Sequence, residues 1–262
     1  MPFASRDGVA LAYERHAGAL PPVVLIHGWC CDRSYLAPQA AHFAADGRSV
    51  LELDLRGHGE SDTPRQDYPI HGFADDVAWL VGTLAIERPI LVGHSMGGII
   101  AYDIAARYPD LASAIVMIDS AVVLPERARA AIPPFLEKLR QPGYAEVVAD
   151  YVGSNLFLPT DDAGRKAATL TAMAAAPHHV LLSAYAGLAD YDAEDGKRPV
   201  TVPALYIGAN EASPRCDLAR LGALVPQLQT GRTVGSGHFC QLEVPEQVNA
   251  MIDRFLKLSI GA

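Results

Sequence analysis

The chain has little of what marks secreted or membrane-bound proteins. Its 262 residues include only four cysteines, and none forms a C-x-x-C pair, which is typical of reduced intracellular thiols rather than of a disulfide framework. No apolar run approaches the roughly 20 residues that a membrane-spanning helix needs. The first residues also lack the apolar segment of a signal peptide. We therefore expect a cytoplasmic protein that does not associate with membranes.

Positive charge and metal-binding motifs are also scarce. Lys and Arg number 21 against 30 Asp and Glu, a formal net charge of −9, which argues against nucleic acid and anionic membranes as partners. The sequence has no H-E-x-x-H motif and no zinc-type spacing of Cys and His. Gly93 and Gly97 are not followed by the Lys-Ser/Thr of a phosphate-binding loop. We therefore expect no metal and no cofactor, and a small molecule as substrate.

Short apolar runs bounded by glycine and proline recur along the chain. They do not alternate, which is typical of strands buried on both faces, and they fall at residues 23–26, 49–53, 90–92, 114–118, 204–207 and 229–234. Residues 9–14 do alternate and predict an edge strand. Apolar residues at helical spacing lie between several runs, at 73–84, 100–108 and 248–256. This order predicts an α/β fold, with a mostly parallel central sheet and helices on both faces.

One stretch breaks the alternation of strand and helix. Residues 122–198 contain no strand-like run but several helical ones, and they are too long for a bare loop. We interpret them as a helical cap inserted into a core domain of residues 1–121 and 199–262. The apolar side chains of the insertion either roof a ligand site or pack its own small core. They include Phe135, Leu139, Tyr151, Phe157, Leu170, Met173, Leu182 and Tyr185.

The most informative segment is Gly-His-Ser-Met-Gly-Gly at residues 93–98, which follows an apolar run and precedes a helical stretch. A serine between two glycines on a strand-to-helix turn sits on a sharp backbone bend that exposes its hydroxyl. Ser95 is therefore the candidate nucleophile. The backbone N–H of Met96, at the start of the helix, is a candidate donor to a developing oxyanion.

A serine hydroxyl needs a base, and the base needs a carboxylate. His238 is the candidate base, because it lies between the last predicted strand and the last helix and has glycines just before it. Three carboxylates keep the chain order Ser–acid–His. Glu211 and Asp119 both come just after a predicted strand, and Asp217 is a weaker option because it falls near the following helix. The sequence leaves the choice between Glu211 and Asp119 open.

Two further segments follow predicted strands. The backbone N–H of Trp29, in His27-Gly28-Trp29, is the candidate for the second oxyanion donor, with the Trp29 side chain on the pocket wall. Asp54 and Arg56 are interpreted as a buried ion pair that braces the loop beside the nucleophile, without a catalytic role. In parallel sheets such strand ends meet at one edge, where ligands bind.

Together these segments resemble the α/β-hydrolase fold family over nearly the whole chain. The resemblance rests on residues 23–29 (VVLIHGW), 54–62 (DLRGHGESD), 90–98 (ILVGHSMGG) and 235–245 (GSGHFCQLEVP). It implies Ser95 as nucleophile, His238 as base, the Trp29 and Met96 amides as oxyanion hole, and a helical cap. Most members have Asp where this chain has Glu211, and a minority carry the acid at the position of Asp119. Ser95 excludes the dehalogenases of the family, which need a carboxylate nucleophile.

The function expected from these residues is hydrolysis of an ester or lactone of a small, largely apolar substrate through an acyl-enzyme on Ser95. Three alternatives stay open: hydrolysis of a carbon–carbon bond, a cofactor-free dioxygenase in which His238 and Asp119 deprotonate the substrate, and a binding protein without catalysis. Fold membership does not name a substrate. The sequence also leaves open whether the protein forms a homodimer.

Overall fold

The computed structural model describes residues 2–193, 199–211 and 213–261. Eight strands form one sheet in the order β1-β2-β4-β3-β5-β6-β7-β8. They are β1 Phe3–Arg6, β2 Val9–His16, β3 Leu20–Ile26, β4 Arg48–Leu53, β5 Ile90–His94, β6 Ala114–Ile118, β7 Ala204–Gly208 and β8 Leu228–Arg232. Strands β1 and β2 are antiparallel to their neighbours, and all pairings from β4 to β8 are parallel. The predicted fold class, a mostly parallel sheet with helices, is confirmed.

Helices connect the strands and cover the sheet. They are α1 Ala37–Ala45, α2 Ile70–Thr83, α3 Met96–Arg107, α4 Glu126–Leu139, α5 Tyr144–Asn155, α6 Ala163–Ala174, α7 His178–Ala189, α8 Leu218–Leu224, α9 Cys240–Glu243 and α10 Pro245–Ser259. A short 3-10 helix, Arg33–Leu36, precedes α1. Among the described residues, no helix is long and apolar enough to cross a lipid bilayer.

The central strands are buried on both faces, as their continuous apolar runs predict. Val24 and Ile26 of β3 pack in the cluster that contains α2 and α3 side chains, whereas Val23 and Leu25 pack in the cluster on the other face with side chains of α1 and α10. Successive side chains of a strand point to opposite faces. Two apolar layers therefore cover the sheet. Because β3 to β7 are parallel, their carboxyl ends lie at the same edge.

Several local features were not anticipated from the sequence pattern. The strand expected at the edge is β2, which lies inside, because β1 pairs with it on the outer side. The four residues of β1 are too few to show a pattern. Helix α1 was not anticipated. Helix α4 begins at Glu126 and continues through Pro133 and Pro134, although proline ordinarily begins or interrupts a helix.

Helices α4 to α7 occupy the sequence between β6 and β7, where the helical insertion was expected. Residues 194–198 of the expected insertion lie outside the described residues. The insertion helices bury few side chains each, such as Ile132 and Leu139 in α4. The name "helical insertion" is used below for residues 122–193.

Candidate active site

Ser95 sits on a strained turn between β5 and α3. Its φ is 55° and its ψ −119°, a conformation that L-residues rarely adopt and that persists only where the surrounding structure enforces it. The Ser95 amide donates to the Ile118 carbonyl at 2.8 Å, which ties the turn to the end of β6. A side chain at Gly97 would overlap the backbone oxygen of Ile26, so the glycine is required for the close approach of α3 to β3.

His238 is bonded to Asp119. Its Nδ1 lies 2.6 Å from Asp119 Oδ2, and both side chains are almost fully buried. Asp119 follows β6 directly and has a φ of 43°, and its amide donates to Ile207 of β7 at 2.7 Å. The turn after β6 therefore directs this carboxylate toward the loop that carries His238.

The other two candidate carboxylates have different partners. Glu211 forms an ion pair with Arg215, four residues later. The same arginine donates from Nε to Asp119 Oδ2 at 2.8 Å, so Arg215 lies between Glu211 and the pair of Asp119 and His238. Asp217 caps helix α8 by accepting from the Arg220 amide at 3.1 Å. The structure thus brings Asp119 to His238, and it brings neither Glu211 nor Asp217 there.

The charges of this cluster shift the pKa values of both partners. Burial raises the pKa of Asp119, but the hydrogen bond and charge of His238, the Arg215 guanidinium and the Ala209 amide outweigh it and lower that pKa to about 2. Burial and the nearby Arg215 lower the pKa of His238 below the ordinary histidine value, against the opposing effect of Asp119. A carboxylate beside a neutral imidazole is the state that a general base requires.

The backbone near Trp29 faces the same space. A Cβ on Gly28 would lie 3.1 Å from the Ser95 Cβ, so the loop after β3 passes directly beside the serine. His27 Nε2 accepts from the Leu55 amide at 3.0 Å. Its Nδ1–H therefore donates to the Gly28 carbonyl at 2.8 Å, which fixes that carbonyl. Among the described residues, the Trp29 and Met96 amides donate to no backbone acceptor.

Ser95, Asp119 and His238 line one cavity of about 390 Å³ together with Trp29 and Met96. The wall is mostly apolar, and the helical insertion supplies much of it. Of the eight apolar side chains singled out in the insertion, Phe135, Tyr151, Met173 and Tyr185 line the cavity, whereas Leu139, Phe157, Leu170 and Leu182 do not. The insertion therefore lines the site, and its other apolar side chains pack in the same cluster as the α2 and α3 side chains rather than in a separate core.

The expected ion pair between Asp54 and Arg56 is wrong. Asp54 pairs instead with Arg33 and also accepts from the Glu60 amide at 2.9 Å. Arg56 binds the Asp76 carboxylate with two bonds of 2.7 and 2.6 Å. Each of the two side chains has its partner on another element, since Asp54 pairs with Arg33 of the 3-10 helix and Arg56 pairs with Asp76 of α2.

Two residues of the site were missed in the sequence. Arg215 lines the cavity and contacts Asp119, and its position four residues after Glu211 was the available signal. His94 donates from Nε2 to the His238 carbonyl at 2.9 Å, and the two ring centroids lie 4.6 Å apart. His94 precedes the nucleophile, so its motif position could have drawn attention to it. Within the described part of the chain, no cluster of His, Cys, Asp and Glu could hold a metal ion.

Comparison with known proteins identifies relatives of this arrangement. Over 263 aligned residues the chain is 28% identical to 2-(acetamidomethylene)succinate hydrolase from Mesorhizobium japonicum, which covers 92% of this chain and 90% of the relative. An enol-lactonase structure from Burkholderia xenovorans LB400 is 26% identical, with a TM-score of 0.80 over 98% of this chain and 100% of that one. A thermophilic esterase from Thermogutta terrifontis, solved with malate bound, is 24% identical with a TM-score of 0.83 over 98% and 97% of the chains.

The structural likeness to the thermophilic esterase concerns the fold alone, whereas the relatives by sequence carry the names of hydrolases. A family model described as the alpha/beta hydrolase fold matches residues 21–245, most of the chain. That match includes the turn at Ser95, the loop at Trp29, the end of β6 and the loop at His238. The chain belongs to the α/β hydrolase fold family.

Proposed function

We propose that this protein is a serine hydrolase that cleaves an ester or lactone of a small, largely apolar substrate through an acyl-enzyme. The observation that carries the proposal is the 2.6 Å bond between His238 Nδ1 and Asp119 in a cavity also lined by the strained Ser95. Relatives named as an esterase/perhydrolase, a monoacylglycerol lipase and an enol-lactonase support this class of substrate.

Acylation begins at Ser95. The bond to Asp119 keeps the proton of His238 on Nδ1, so Nε2 is the lone pair that takes the proton of Ser95. The serine oxygen attacks the carbonyl carbon of the substrate, and the negative charge forms on the carbonyl oxygen. The amides of Met96 and Trp29 stabilise that oxyanion, and one such donor is worth roughly 2.7–4 kcal/mol in the transition state.

The intermediate then collapses and expels the alcohol, which takes the proton from His238. In a lactone the alcohol stays attached to the acyl chain. Water enters, His238 removes its proton, and the resulting hydroxide attacks the acyl carbon. The acid leaves as His238 gives the proton to the serine oxygen, which restores the Ser95 hydroxyl and the neutral imidazole. Asp119 remains ionised throughout, and it orients the imidazole and stabilises the imidazolium.

The apolar wall supports a small, uncharged acyl group. Arg215, the cationic side chain that lines the cavity, is already paired with both Asp119 and Glu211. A carboxylate on the substrate would therefore meet a cation whose charge is more than balanced by its two partners. The relative named 2-(acetamidomethylene)succinate hydrolase carries the name of a dicarboxylate substrate, which is charged, unlike the acyl group proposed here.

The first experiment replaces Ser95 with Ala and measures turnover of aryl acetates and labelling by a fluorophosphonate. Because the nucleophile is lost while the cavity stays, turnover should fall by about 10³-fold or more and labelling should disappear. Activity retained within about ten-fold of the wild type would contradict the proposal, since a tenfold change corresponds to only about 1.4 kcal/mol.

The same variant separates the alternatives. A cofactor-free dioxygenase needs His238 and Asp119 but not the serine hydroxyl, so oxygen consumption that survives in Ser95→Ala would favour it. A wild-type protein that binds esters without turnover and without labelling would point to a binding protein. Carbon–carbon bond hydrolysis uses the same three residues, and a diketone substrate tests it directly.

A further inference from the structure

A segment of the helical insertion contacts the loop that carries His238. The clasp, defined as residues 155–161, begins at the last residue of α5. The Leu156 carbonyl accepts from the His238 amide at 2.9 Å. The Asp161 carboxylate accepts from the Gly237 amide at 3.1 and 3.2 Å. Two consecutive amides of the loop that carries the base are therefore bound by the insertion rather than by the core.

The fit between clasp and loop is close. A Cβ on Gly237 would lie 2.6 Å from Asp161 Oδ2 and 2.8 Å from the Leu156 oxygen, so the loop can approach only because residue 237 has no side chain. Asp161 is itself held in place, because its carboxylate accepts from the Leu158 amide at 2.7 Å. The Asp161 carboxylate is therefore oriented by a bond within the clasp as well as by its bonds to Gly237.

The clasp also reaches the acid, through Arg215. The guanidinium donates from Nη2 to the Asn155 carbonyl at 2.7 Å. From Nε it donates to Asp119 Oδ2 at 2.8 Å, the oxygen that also receives His238 Nδ1. The other oxygen, Oδ1, accepts from the Ala209 amide at 3.0 Å. Both Asp119 oxygens are therefore held, and one of the holding groups is anchored on the insertion.

We propose that the clasp positions the His238–Asp119 pair, so that the helical insertion contributes to catalytic geometry as well as to the pocket wall. The inference rests on the function proposed above. Asp161 acts through the Gly237 amide, does not line the cavity and is a positioning residue. Displacement of the base by about 1 Å costs on the order of 10²-fold in rate, while the contacts that bind the substrate remain.

The test compares three variants at neighbouring positions. Asp161→Ala removes the acceptor for Gly237, whereas Asp161→Asn keeps one amide oxygen in that place. Asp162→Ala is the matched control, because Asp162 caps helix α6 by accepting from the Arg165 amide at 2.7 Å and has no side-chain bond to the His238 loop. Steady-state kinetics on an aryl ester are measured on folded protein, quantified by circular dichroism.

We expect kcat of Asp161→Ala to fall by about 10²-fold with KM unchanged, and Asp161→Asn to recover most of the loss. Asp162→Ala should lower the melting temperature and keep kcat. Equal kcat values for Asp161→Ala and Asp162→Ala would overturn the proposal, as would a loss confined to KM. If Asp161→Ala does not fold, Arg215→Lys is measured instead and should show the same split between kcat and KM.

A second readout does not depend on the proposed activity. A proton in a short bond between imidazole and carboxylate gives a strongly downfield NMR signal, here that of His238 Nδ1–H. We expect the signal to weaken or shift in Asp161→Ala and to persist in Asp162→Ala. If the wild type neither turns over esters nor is labelled, the proposed function fails. The NMR comparison then still decides the positioning role, which an unchanged signal in Asp161→Ala would refute.

Discussion

At the turn between β5 and α3 an added methyl group has no room, whereas at Gly153 in helix α5 of the insertion it does. A Cβ at Gly97 would overlap the backbone of β3, but one at Gly153 in α5 would meet the side chains of Leu170 at 3.5 Å and Lys166 at 3.8 Å, which are ordinary contacts. Every residue of β5 is buried, while the described helices of the insertion bury two or three side chains each.

The difference matches the tasks of the two regions. The turn must hold Ser95 in a costly conformation, and close packing on several sides supplies the constraint. The insertion supplies the wall that meets the substrate, and looser packing there leaves side chains exchangeable without loss of the fold. The clasp fits tightly against the core, as does Gly187 of α7, where a Cβ would overlap the Tyr68 backbone oxygen.

The largest effect is expected from paired glycine substitutions. Gly97→Ala places a Cβ against backbone that cannot move aside, so we expect a loss of more than about 4 kcal/mol in the free energy of unfolding, or no soluble protein. Gly153→Ala sits inside a helix, where alanine is favoured by about 0.5–1 kcal/mol. Urea unfolding of both variants measures the contrast. Similar midpoints for the two would break the comparison between tight core and tolerant insertion.

An intermediate effect is expected from acid. Burial lowers the pKa of His27 to about 4 and that of His58 to about 3. The unfolded chain therefore binds more protons than the folded one below about 6.5, and stability falls as the pH drops from there toward those values. We expect a loss of a few kcal/mol between pH 6.5 and 4, measured as the melting temperature.

The variant His58→Phe sharpens this prediction. The His58 ring packs between His27 and Phe73 and its Nδ1 bonds the Arg56 carbonyl at 3.0 Å. Loss of that bond should cost about 1 kcal/mol at neutral pH, while removal of the titrating group should flatten the fall in acid. The same acid slope as in the wild type would show that His58 does not carry it.

The smallest effect is expected in substrate range. Phe135 lines the cavity and packs against Tyr151 and Tyr185 at ring distances of 4.6 and 4.9 Å. Phe135→Ala should raise the ratio of kcat/KM for hexanoate over acetate aryl esters by about ten-fold, since one methylene is worth roughly 1–3 kcal/mol in such a pocket. Leu170→Ala is the control, because Leu170 does not line the cavity. An equal change in both variants would show that the wall does not set acyl length.

The central strands could be predicted because a strand that is buried on both faces has a continuous run of apolar residues. Continuous apolar runs such as 90–92 and 114–118 coincide with β5 and β6. The elements that lack a clear apolar pattern were not predicted from the sequence. Strand β1 has four half-exposed or exposed residues, and helix α4 runs through two prolines, which would ordinarily begin or end a helix.

By itself the sequence determined the fold class, the serine on its turn and the histidine after the last strand, because glycine spacing and strand ends are local properties. The choice of carboxylate depended on the tertiary structure. Asp119 and Glu211 follow neighbouring parallel strands, so their sequence positions are equivalent. The backbone turn at Asp119 directs one carboxylate to His238, and Arg215 captures the other. The direction of each carboxylate and the competition for its partners are set only when the loops pack together. The contact of the clasp with the His238 loop depends on the tertiary structure for the same reason.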